Sequence, residues 1–353
     1  MRFHGRFLAL LAAVLMLATA PEAGANTWTV GRAQADCPGG CNFYDLLLGS
    51  NAGEGIKIAM ESPSVVSGDT VLVWRGTRDT LGVKDYPGRI TMKSGVKLIA
   101  FGYPDSVPVI SSTAGQVAAI TMVGCSEVTE VNGFIITWDS GTLGLGGGIA
   151  AYTSGGIIKN NRFVNCVAGI GAGVHMQACT MNVTNNLFLN NVCNSGGGVI
   201  SVSAGTPVIE NNSIVGATAP LGAEGAGIYV SGADPTIRNN IIYGSKGASA
   251  VFCGGGNMPT FECNMFYANQ VGAFGGQCTD STGTSGNVIA DPLFCSPSMQ
   301  QYGLCSDSPA LAGGACGTVG YVSPFGGCAA CRPTPVAANL QASSWGMVKA
   351  LYR

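Results

Sequence analysis

The sequence predicts an all-β solenoid, in which short parallel strands wind into about eight or more stacked coils. Two repeated signals indicate this fold. An Asn pair flanked by apolar residues returns every 24 to 29 residues, and an apolar residue that usually follows Gly returns with a similar period. The composition agrees, since 54 Gly residues and a charged fraction of only 10% suit many short strands joined by tight turns.

The Asn pairs define the repeat most clearly. The stretches "IKNNRFVN" at 158, "VTNNLFLN" at 183, "IENNSIVG" at 209 and "IRNNIIYG" at 237 share one pattern of apolar residues around the second Asn. A period of about 20 to 50 residues is typical of repeat architectures, in which each repeat is one structural unit. The predicted markers, taken as the second Asn of each pair or its equivalent, are Asn132, Asn161, Asn186, Asn212, Asn240 and Asn264.

The second signal marks the first strand of each coil. We expect three strands in a coil, exemplified by "GIYV" at 227, "PTIR" at 235 and "NIIY" at 240. Such a triplet cannot bury its apolar side alone, so the coils must stack to form a continuous core. The predicted first-strand markers are Val71, Val96, Ile120, Ile149, Val174, Val199, Ile228 and Val251.

The repeated Asn is interpreted as structural. A tight corner between the second and third strands needs a residue with positive φ, which Asn tolerates better than any residue except Gly. Parallel stacking places equivalent residues about 4.8 Å apart, so the Asn side chains of successive coils can hydrogen-bond to one another. The column is therefore predicted to be a ladder rather than a catalytic set.

The repeats "GGGIAAYTSGGIIKNNRFVN" and "AGIYVSGADPTIRNNIIYGS" resemble those of the right-handed parallel β-helix proteins in the pectin-lyase-like superfamily. The resemblance covers about residues 65 to 295, and it implies a right-handed parallel β-helix. It does not imply one function, because that superfamily includes lyases, hydrolases, epimerases, adhesins and proteins of unknown role.

The two ends of the chain differ from the repeats. Residues 1–25 have the basic start, apolar run and small-residue cleavage site of a signal peptide, so cleavage is expected before Asn26. Residues 26–64 are expected to cap the N-terminal end, where "EGIKIAMES" at 54 predicts a short amphipathic helix. The β-helix is predicted over 65–295, a Cys- and Gly-rich C-terminal cap over 296–331, and a sorting, docking or packed tail over 332–353.

The charge and the cysteine content limit which cellular compartment and which partners are expected. Removal of the signal peptide leaves 15 basic and 18 acidic side chains, and this slightly negative balance argues against a nucleic acid partner. No later apolar run reaches the about 20 residues that a membrane span needs. Fourteen Cys residues favour an oxidising compartment. We therefore expect a monomer that is secreted, periplasmic or attached to the cell surface.

Several cysteine pairs are suggested by spacing. Cys253 and Cys278 occupy equivalent inward places one coil apart, so either a disulfide or two stacked thiols is expected there. Zinc is a rival interpretation for some cysteines, but no His lies near them and the "CAAC" motif at 328 stands alone, so no metal site is predicted. The other suggested pairs are Cys166/Cys193, Cys37/Cys41, Cys295/Cys305 and Cys316/Cys328, whereas Cys125 and Cys179 are two coils apart and too distant to bond.

Enzymes of the superfamily that the chain resembles generally work on the outer surface of the first strands. No carboxylate lies on the two columns predicted to face outward there, whereas glycoside hydrolysis needs two carboxyl groups about 5 to 9.5 Å apart. Calcium-dependent lyases likewise need several oxygen ligands close together. We predict no catalytic residue and no cofactor, and a lyase with Tyr152 or His175 as base stays open. The predicted columns are Leu72, Lys97, Thr121, Ala150, His175, Ile200, Tyr229 and Phe252, and Trp74, Ile99, Val123, Tyr152, Gln177, Val202, Ser231 and Gly254.

The same columns contain a candidate glycan-binding strip. Aromatic faces suit the apolar faces of sugar rings, while His and Gln can bind hydroxyl groups. Longer loops precede Ile149 and Ile228, and they are expected to rise beside this sheet. The alternative is an apolar strip, including Ile200 and Val202, that the C-terminal segment covers. The candidate binding residues are Tyr152, His175, Gln177, Tyr229 and Phe252.

The favoured function is a non-catalytic surface protein that binds an extracellular polysaccharide or has a structural role. The first alternative is a polysaccharide lyase or glycoside hydrolase that acts on a polyuronate-type glycan. The second is an adhesin that binds a protein partner.

Overall fold

A computed structural model describes most of the chain between residues 25 and 331. The predicted tail and residues 1–24 of the predicted signal peptide lie outside the described residues. The structure describes residues 25–31, 37–44, 54–75, 86–102, 107–112, 118–138, 144–256, 258–299, 301–311, 316–323, 326–329 and 331.

Three parallel sheets surround one core, which confirms the predicted solenoid. Each full coil contributes one strand to each sheet, and equivalent strands of successive coils pair side by side. The first sheet consists of Ile90–Thr91, Ile120–Val123, Ile149–Tyr152, Val174–Cys179, Ile200–Gly205, Ile228–Ser231, Val251–Cys253 and Phe274–Gly276. The second sheet consists of Thr27–Val30, Thr70–Val73, Lys97–Ala100, Glu130–Asn132, Ile157–Lys159, Asn182–Thr184, Val208–Glu210, Thr236–Arg238 and Thr260–Glu262. The third sheet consists of Val109–Ser112, Ile135–Trp138, Arg162–Val164, Leu187–Leu189, Ser213–Val215, Ile241–Tyr243, Met265–Tyr267 and Val288–Ile289.

Alternation of inward and outward side chains along the strands builds the core. In strand Ile228–Ser231, Ile228 and Val230 are fully buried, whereas the two residues that alternate with them are half-buried. Equivalent side chains stack from coil to coil, and the rings of Phe163 and Phe188 lie nearly parallel with centroids 4.7 Å apart. Full burial of one such side chain contributes about 1.5–3 kcal/mol, so the stacked columns hold successive coils together.

The Asn ladder is present, and its two roles fall on different residues of each pair. The first Asn takes the positive φ, which is 52° at Asn185 and 53° at Asn211. The second Asn is buried and hydrogen-bonded: the Oδ1 atom of Asn186 accepts the backbone N–H of Asn161 at 2.9 Å, and its Nδ2 atom donates to the carbonyl of Ile158 at 2.9 Å. The ladder runs through Asn161, Asn186, Asn212, Asn240, Asn264 and Asn287, all fully buried.

The prediction that Asn132 belongs to this ladder is wrong. In its coil the positive φ is taken by Gly133, at 89°, and the ladder position is taken by Phe134. The N–H of Phe134 donates to the Oδ1 atom of Asn161 at 3.0 Å, so the ladder ends on a backbone group. Asn132 instead lies two residues before the ladder position, level with Lys159, and its Oδ1 atom accepts a hydrogen bond from Asn160 Nδ2.

Two predicted first-strand markers lie in the wrong sheet. Val71 and Val96 were placed with the first strands, but Thr70–Val73 and Lys97–Ala100 belong to the second sheet. Counting back by whole periods cannot distinguish sheets in coils without an Asn pair, because every strand has the same alternation. The outward residues read from these two markers, Leu72, Trp74, Lys97 and Ile99, are therefore not part of the first-sheet surface.

A third marker, Val199, is wrong by one residue. Ile200, not Val199, pairs with Val174 and Ile228, because Val199 takes the place that Gly173 and Gly227 have in neighbouring coils. A shift of one residue reverses the face of every side chain in a strand.

The consequence is that Ile200 and Val202, predicted to face outward, are fully buried in the core. Ser201 and Ser203 take their place on the outward face.

A short helix closes the N-terminal end, as predicted. Helix Gly55–Glu61 buries Ile56, Ala59 and Met60 in the main core. Its position protects apolar side chains of the first coils that would otherwise meet solvent. Among the described residues, no helix is both long and apolar enough to span a membrane.

Beyond residue 291 the period is lost, and the described residues between 292 and 331, named here the C-terminal segment, pack on the third sheet. Its antiparallel strands Phe294–Ser296 and Gln301–Leu304 flank a 3₁₀ turn at Pro297–Met299. The N–H of Tyr321 donates to Ser213 Oγ at 3.0 Å, which ties the segment to the sheet. Sheet and segment share a second core of Leu187, Leu189, Val215, Ile241, Met265, Phe294, Tyr302, Leu304, Ala310, Val319 and Tyr321.

Five disulfides confirm part of the predicted cysteine pairing and correct the rest. Cys37–Cys41 is bonded as predicted, and Cys253–Cys278 is a disulfide rather than a pair of stacked thiols. The predicted pairs Cys295/Cys305 and Cys316/Cys328 are wrong, because the C-terminal segment folds back and brings together cysteines that are distant in sequence. The remaining bonds are Cys263–Cys316, Cys295–Cys328 and Cys305–Cys331.

Four cysteines are free thiols in the interior. Cys166 and Cys193, suggested as a pair, remain separate, and burial raises the pKa of each to about 12. Cys125 and Cys179 are also buried and unbonded, as their spacing predicted. Thiols with such high pKa values are chemically inert and fill space in the core.

Candidate binding surface

Two columns of side chains form the outward face of the first sheet. One residue per coil enters each column, so neighbours in a column are about 4.8 Å apart. The first of these, named here the inner column, lies next to the loops that enter the strands. It consists of Thr121, Ala150, His175, Ser201, Tyr229 and Phe252. The outer column consists of Val123, Tyr152, Gln177, Ser203, Ser231 and Gly254.

His175 is buried within the inner column rather than exposed. Only 4% of its surface is accessible, and its Nδ1 atom lies 2.7 Å from the Oγ atom of the fully buried Ser201. Burial lowers the pKa of His175 to about 4, so the ring is neutral at physiological pH. The side chain predicted to meet sugar hydroxyls thus makes its hydrogen bond inside the protein.

A glycine loop causes this burial. Gly171 has a φ of 65° and approaches so closely that a Cβ atom there would lie 2.7 Å from Ser201 Oγ and 2.9 Å from His175 Cβ. Only Gly adopts this conformation without strain and leaves room for the neighbouring side chains. The loop before strand Val174–Cys179 therefore folds over the inner column and closes the His175–Ser201 pair from solvent.

Two aromatic pairs lie at the ends of a polar stretch on this face. Tyr152 meets the ring of His175 edge-on at 5.9 Å, and Tyr229 stacks on Phe252 at 6.1 Å with the planes inclined by 22°. Tyr152 and Tyr229 stand three coils apart, which corresponds to about 14 Å along the solenoid axis. The outer-column residues that follow Tyr152 from coil to coil are Gln177, Ser203 and Ser231, of which Gln177 is exposed, the serines are half-buried, and Ser231 lies on the strand of Tyr229.

One carboxylate stands beside the strip. The exposed Glu224 belongs to the loop before Ile228, which sequence length predicted to rise beside this sheet, and its backbone carbonyl accepts the N–H of Gly197. Burial raises the pKa of the Tyr229 hydroxyl, and hydrogen bonding and charge at Glu224 raise it further. The phenol is therefore protonated at neutral pH and hydrogen-bonds with the Glu224 side chain.

Three residues of this face were missed by the sequence analysis. Ser201 and Ser203 were hidden by the one-residue error at Val199, although the alternation in "ISVS" at 200 was the signal that identifies them. Glu224 lies in a loop outside the two predicted columns and was not predicted to be part of the face. No general pattern in a single sequence places a loop carboxylate against a tyrosine of the next strand.

Glycoside hydrolysis ordinarily requires two carboxyl groups at a defined separation. With the register corrected, neither outward column of the first sheet contains a carboxylate among the described residues, so Glu224 has no acidic partner there. His175 and Ser201 have the spacing of a base and a nucleophile, but Ser201 is fully buried and a substrate cannot reach it. Chemically, the face can stack on rings and exchange hydrogen bonds with hydroxyl groups.

Metal-ligating geometry occurs only in the C-terminal segment among the described residues. The sulfur atoms of Cys295, Cys305 and Cys328 lie within 4.8 Å of one another. All three belong to disulfides, and a disulfide sulfur is not a thiolate ligand.

The described C-terminal segment does not cover the first sheet. It packs on the third sheet through Tyr302, Val319 and Tyr321, on a different face of the solenoid. The alternative in which this segment hides an apolar first-sheet strip is therefore wrong for the residues between 292 and 331 that the structure describes. Its premise is also wrong, because Ile200 and Val202 are core residues.

Comparison with known proteins agrees with this architecture. No curated protein gives a significant match. Residues 118–291 match a protein family described as a right handed beta helix region, and they include the ladder from Asn161 to Asn287 and the candidate face. A fold of this kind supports a general polysaccharide-associated or structural role, and it is consistent with the pectin-lyase-like superfamily. The family match and the three parallel sheets together place the chain among the right-handed parallel β-helix repeat proteins.

Proposed function

We propose that this is an exported, non-catalytic β-helix protein that binds an extended extracellular polysaccharide along the outward face of the first sheet. The single observation that carries the proposal is the placement of the two tyrosines. Tyr152 and Tyr229 stand three coils apart in the two neighbouring outward columns, about 14 Å along the solenoid axis, with hydroxyl and amide groups between them. This spacing suits a chain molecule better than a single small ligand.

The chemistry of the face supports a neutral or weakly charged sugar polymer. Tyrosine rings offer apolar faces for sugar rings together with a polar edge. Gln177 and Ser203 supply donors and acceptors between the two tyrosines, and Ser231 and Glu224 supply them beside Tyr229. His175 is buried and does not contact the polymer in this proposal. It positions Ser201 and packs against the ring of Tyr152.

A screen of the purified protein on a glycan array identifies the polymer, and substitutions then test the face. We expect Tyr152→Ala and Tyr229→Ala each to weaken binding at least tenfold, since each removes a ring contact of about 1.4 kcal/mol or more. Tyr267→Ala is the matched control, because Tyr267 is a half-buried outward tyrosine on the third sheet. Unchanged affinity in both folded first-sheet variants would place the polymer elsewhere.

The enzyme alternative is tested separately on polyuronates, with unsaturated products as the readout. We expect no turnover by the wild-type protein. Robust turnover that Tyr152→Phe or His175→Ala abolishes would replace the binding proposal with a lyase. The adhesin alternative predicts no polysaccharide hit on the array and a protein partner sensitive to the same tyrosine substitutions.

Export is part of the proposal and has its own measurement. The disulfides are compatible with an extracellular location. We expect the protein recovered outside the cytoplasm to begin at Asn26. N-terminal sequencing that still found Arg6 would contradict cleavage of the predicted signal peptide.

A further inference from the structure

Four cysteine side chains come together at one place in the C-terminal segment. The Sγ atom of Cys328 lies 3.4 Å from that of Cys305 and 3.9 Å from that of Cys331. The sulfur of Cys295 lies within 4.8 Å of those of Cys305 and Cys328. These four residues are named here the sulfur cluster. Outside it, the described part of the chain contains no group of three or more Cys, His, Asp or Glu side chains with such proximity.

The backbone brings the members of the sulfur cluster together from three stretches of chain. Strand Phe294–Ser296 pairs with Gln301–Leu304, and Cys305 makes a parallel bridge to Cys328. Gly327 permits this approach, because a Cβ atom there would collide with a carbonyl oxygen of the neighbouring strand. The three stretches therefore lie side by side, and each contributes at least one sulfur.

Contacts other than the disulfides also hold this arrangement. The N–H of Cys305 donates to the carbonyl of Leu293 at 2.9 Å, and the N–H of Cys331 donates to Asp307 at 2.9 Å. The whole segment is fixed to the third sheet by the apolar core that they share. The backbone frame of the sulfur cluster therefore does not depend on the disulfides alone.

The distances between the sulfurs suit a tetrahedral metal site. Zn²⁺ binds four thiolates at about 2.3 Å, which places the sulfurs about 3.8 Å from one another. The separations of 3.4 and 3.9 Å from Cys328 to Cys305 and Cys331 are close to this value. The "CAAC" motif at 328 supplies two ligands at a spacing that is typical of zinc sites. Tetrahedral coordination by sulfur alone favours zinc over metals that prefer oxygen ligands.

The disulfides of the sulfur cluster are placed where a reductant can open them. The bonds are Cys295–Cys328 and Cys305–Cys331, and Cys331 is exposed. Exposed disulfides are more readily reduced than buried ones. Opening of the exposed bond frees the Cys305 thiolate 3.4 Å from the sulfur of Cys328, so it can attack the second disulfide. One exposed bond therefore gives access to all four sulfurs.

We propose that the sulfur cluster is a zinc site in the reduced protein and closes into two disulfides when the protein is oxidised. Each disulfide takes two electrons and two protons from one dithiol, which becomes a cyclic disulfide. The four thiols then bind one Zn²⁺ and release four protons, which leaves a dianionic tetrathiolate centre. In the reverse direction, two external disulfides accept the four electrons and leave as four thiolates, while both protein disulfides form and the metal is released.

Zinc binding to the intact protein tests the proposal. The protein is reduced with a water-soluble phosphine, because a dithiol would itself bind zinc, and it competes for Zn²⁺ with a chromogenic chelator without oxygen. We expect one Zn²⁺ per chain with a dissociation constant below about 100 nM, as for structural zinc sites. The oxidised protein should bind at least a hundredfold more weakly. Weaker binding than this by the reduced protein, or equal binding in both redox states, would overturn the proposal.

Cobalt reports which atoms bind the metal. Co²⁺ in place of zinc should give the intense visible absorption of a tetrahedral centre and the charge-transfer bands of thiolate ligands. The weak absorption of octahedral Co²⁺ with oxygen ligands would contradict a site made of four thiolates.

Substitutions assign the metal to the sulfur cluster. Cys331→Ser removes one ligand at an exposed position and should weaken zinc binding by the reduced protein at least tenfold. The matched control is Cys253→Ser/Cys278→Ser, which removes a disulfide of the first sheet and should keep the full affinity. Wild-type affinity in Cys331→Ser, or an equal loss in the control, would show that the metal binds elsewhere.

Discussion

At the residue scale, the Asn pair shows what a single sequence can and cannot reveal. The period and the buried column were predictable, because apolar flanks and a fixed spacing are visible in the letters. The different roles of the two Asn residues within a pair were not predictable. Asn185 supplies the positive φ and Asn186 the buried hydrogen bonds, yet both are the same residue type at adjacent positions. Only the backbone geometry distinguishes the Asn that adopts the positive φ from the Asn that hydrogen-bonds to buried backbone groups of neighbouring coils.

These different roles predict that substitutions at the two adjacent positions lower the free energy of unfolding by different amounts. Asn186→Leu should lower the free energy of unfolding by at least about 3 kcal/mol. The change removes the acceptor for the Asn161 N–H and the donor for the Ile158 carbonyl, and each buried polar group left unpaired costs about 1–3 kcal/mol. Asn185→Gly should lower it by less, about 1–2 kcal/mol, because Gly accepts the φ of 52° and the hydrogen bonds that are lost, to Asn160 and from Val322, are at most partly buried. Chemical denaturation measures both, and equal losses would contradict the assignment.

The buried His175 predicts how stability depends on pH. Its pKa is about 4 in the folded protein, below the value of about 6.5 expected in the unfolded chain. Between these values the unfolded chain binds the proton and the folded protein does not, so acidification favours unfolding. The contribution of neutral His175 to the free energy of unfolding should be fully present above about pH 6.5. The free energy should fall by up to about 3 kcal/mol as the pH approaches 4.

Denaturation of the wild type and of His175→Gln at pH 7 and pH 4.5 isolates this contribution. Glutamine has no proton to gain in this range, so the variant should lose less stability than the wild type on acidification. Identical pH profiles would show that His175 is not the responsible group.

At the element scale, strand positions were predicted well and strand faces less well. Strands of three or four residues contain only two alternations, so one misplaced marker reverses a whole strand. Val199 produced such a reversal because it replaces a glycine of the neighbouring coils. The candidate face was consequently predicted with two apolar residues in place of Ser201 and Ser203. The aromatic ends of the face were predictable, since Tyr152 and Tyr229 lie in coils whose markers were placed correctly.

The sequence contains a pattern that predicts where the C-terminal segment packs, but the sequence analysis did not use it. Third strands such as Leu187–Leu189 and Ile241–Tyr243 are apolar on both faces, which is typical of strands buried on both sides. First strands such as Ile228–Ser231 alternate and leave one face to solvent. That difference predicts that the third sheet, and not the first, is covered. The pairing of cysteines within the cover depends on its tertiary path, which spacing alone does not determine.

The disulfide that ties this segment to the solenoid should stabilise more than the N-terminal one. Cys263–Cys316 closes a span of 53 residues, whereas Cys37–Cys41 closes a span of 4. Loop-closure entropy predicts losses of about 4 and about 2 kcal/mol, respectively, when each pair is replaced by Ser. Denaturation of the two double-Ser variants measures the order, and limited proteolysis should release the C-terminal segment faster only in Cys263→Ser/Cys316→Ser. A larger loss in the N-terminal variant would refute this order.

At the scale of the whole molecule, a solenoid is nearly one-dimensional, because each coil contacts only its neighbours. Removing one complete period should therefore leave a folded protein. Deletion of residues 162–186 joins Asn161 directly to Leu187 and removes 25 residues, which is the spacing between Asn161 and Asn186 in the ladder. Asn161 then stacks on Asn212, and Ile149 pairs with Ile200.

The same deletion shortens the proposed polysaccharide face by one step. The strand with Gln177 is lost, so Tyr152 and Tyr229 stand two coils apart, about 10 Å, instead of three. We expect the variant to unfold cooperatively but to bind the polymer at least tenfold more weakly than the wild type, because one polymer chain no longer reaches both rings in register. A deletion of 162–180, which breaks the period, is the control and should fail to fold. A folded in-phase variant with full polymer affinity would mean that the polymer contacts one aromatic pair at a time rather than spanning both.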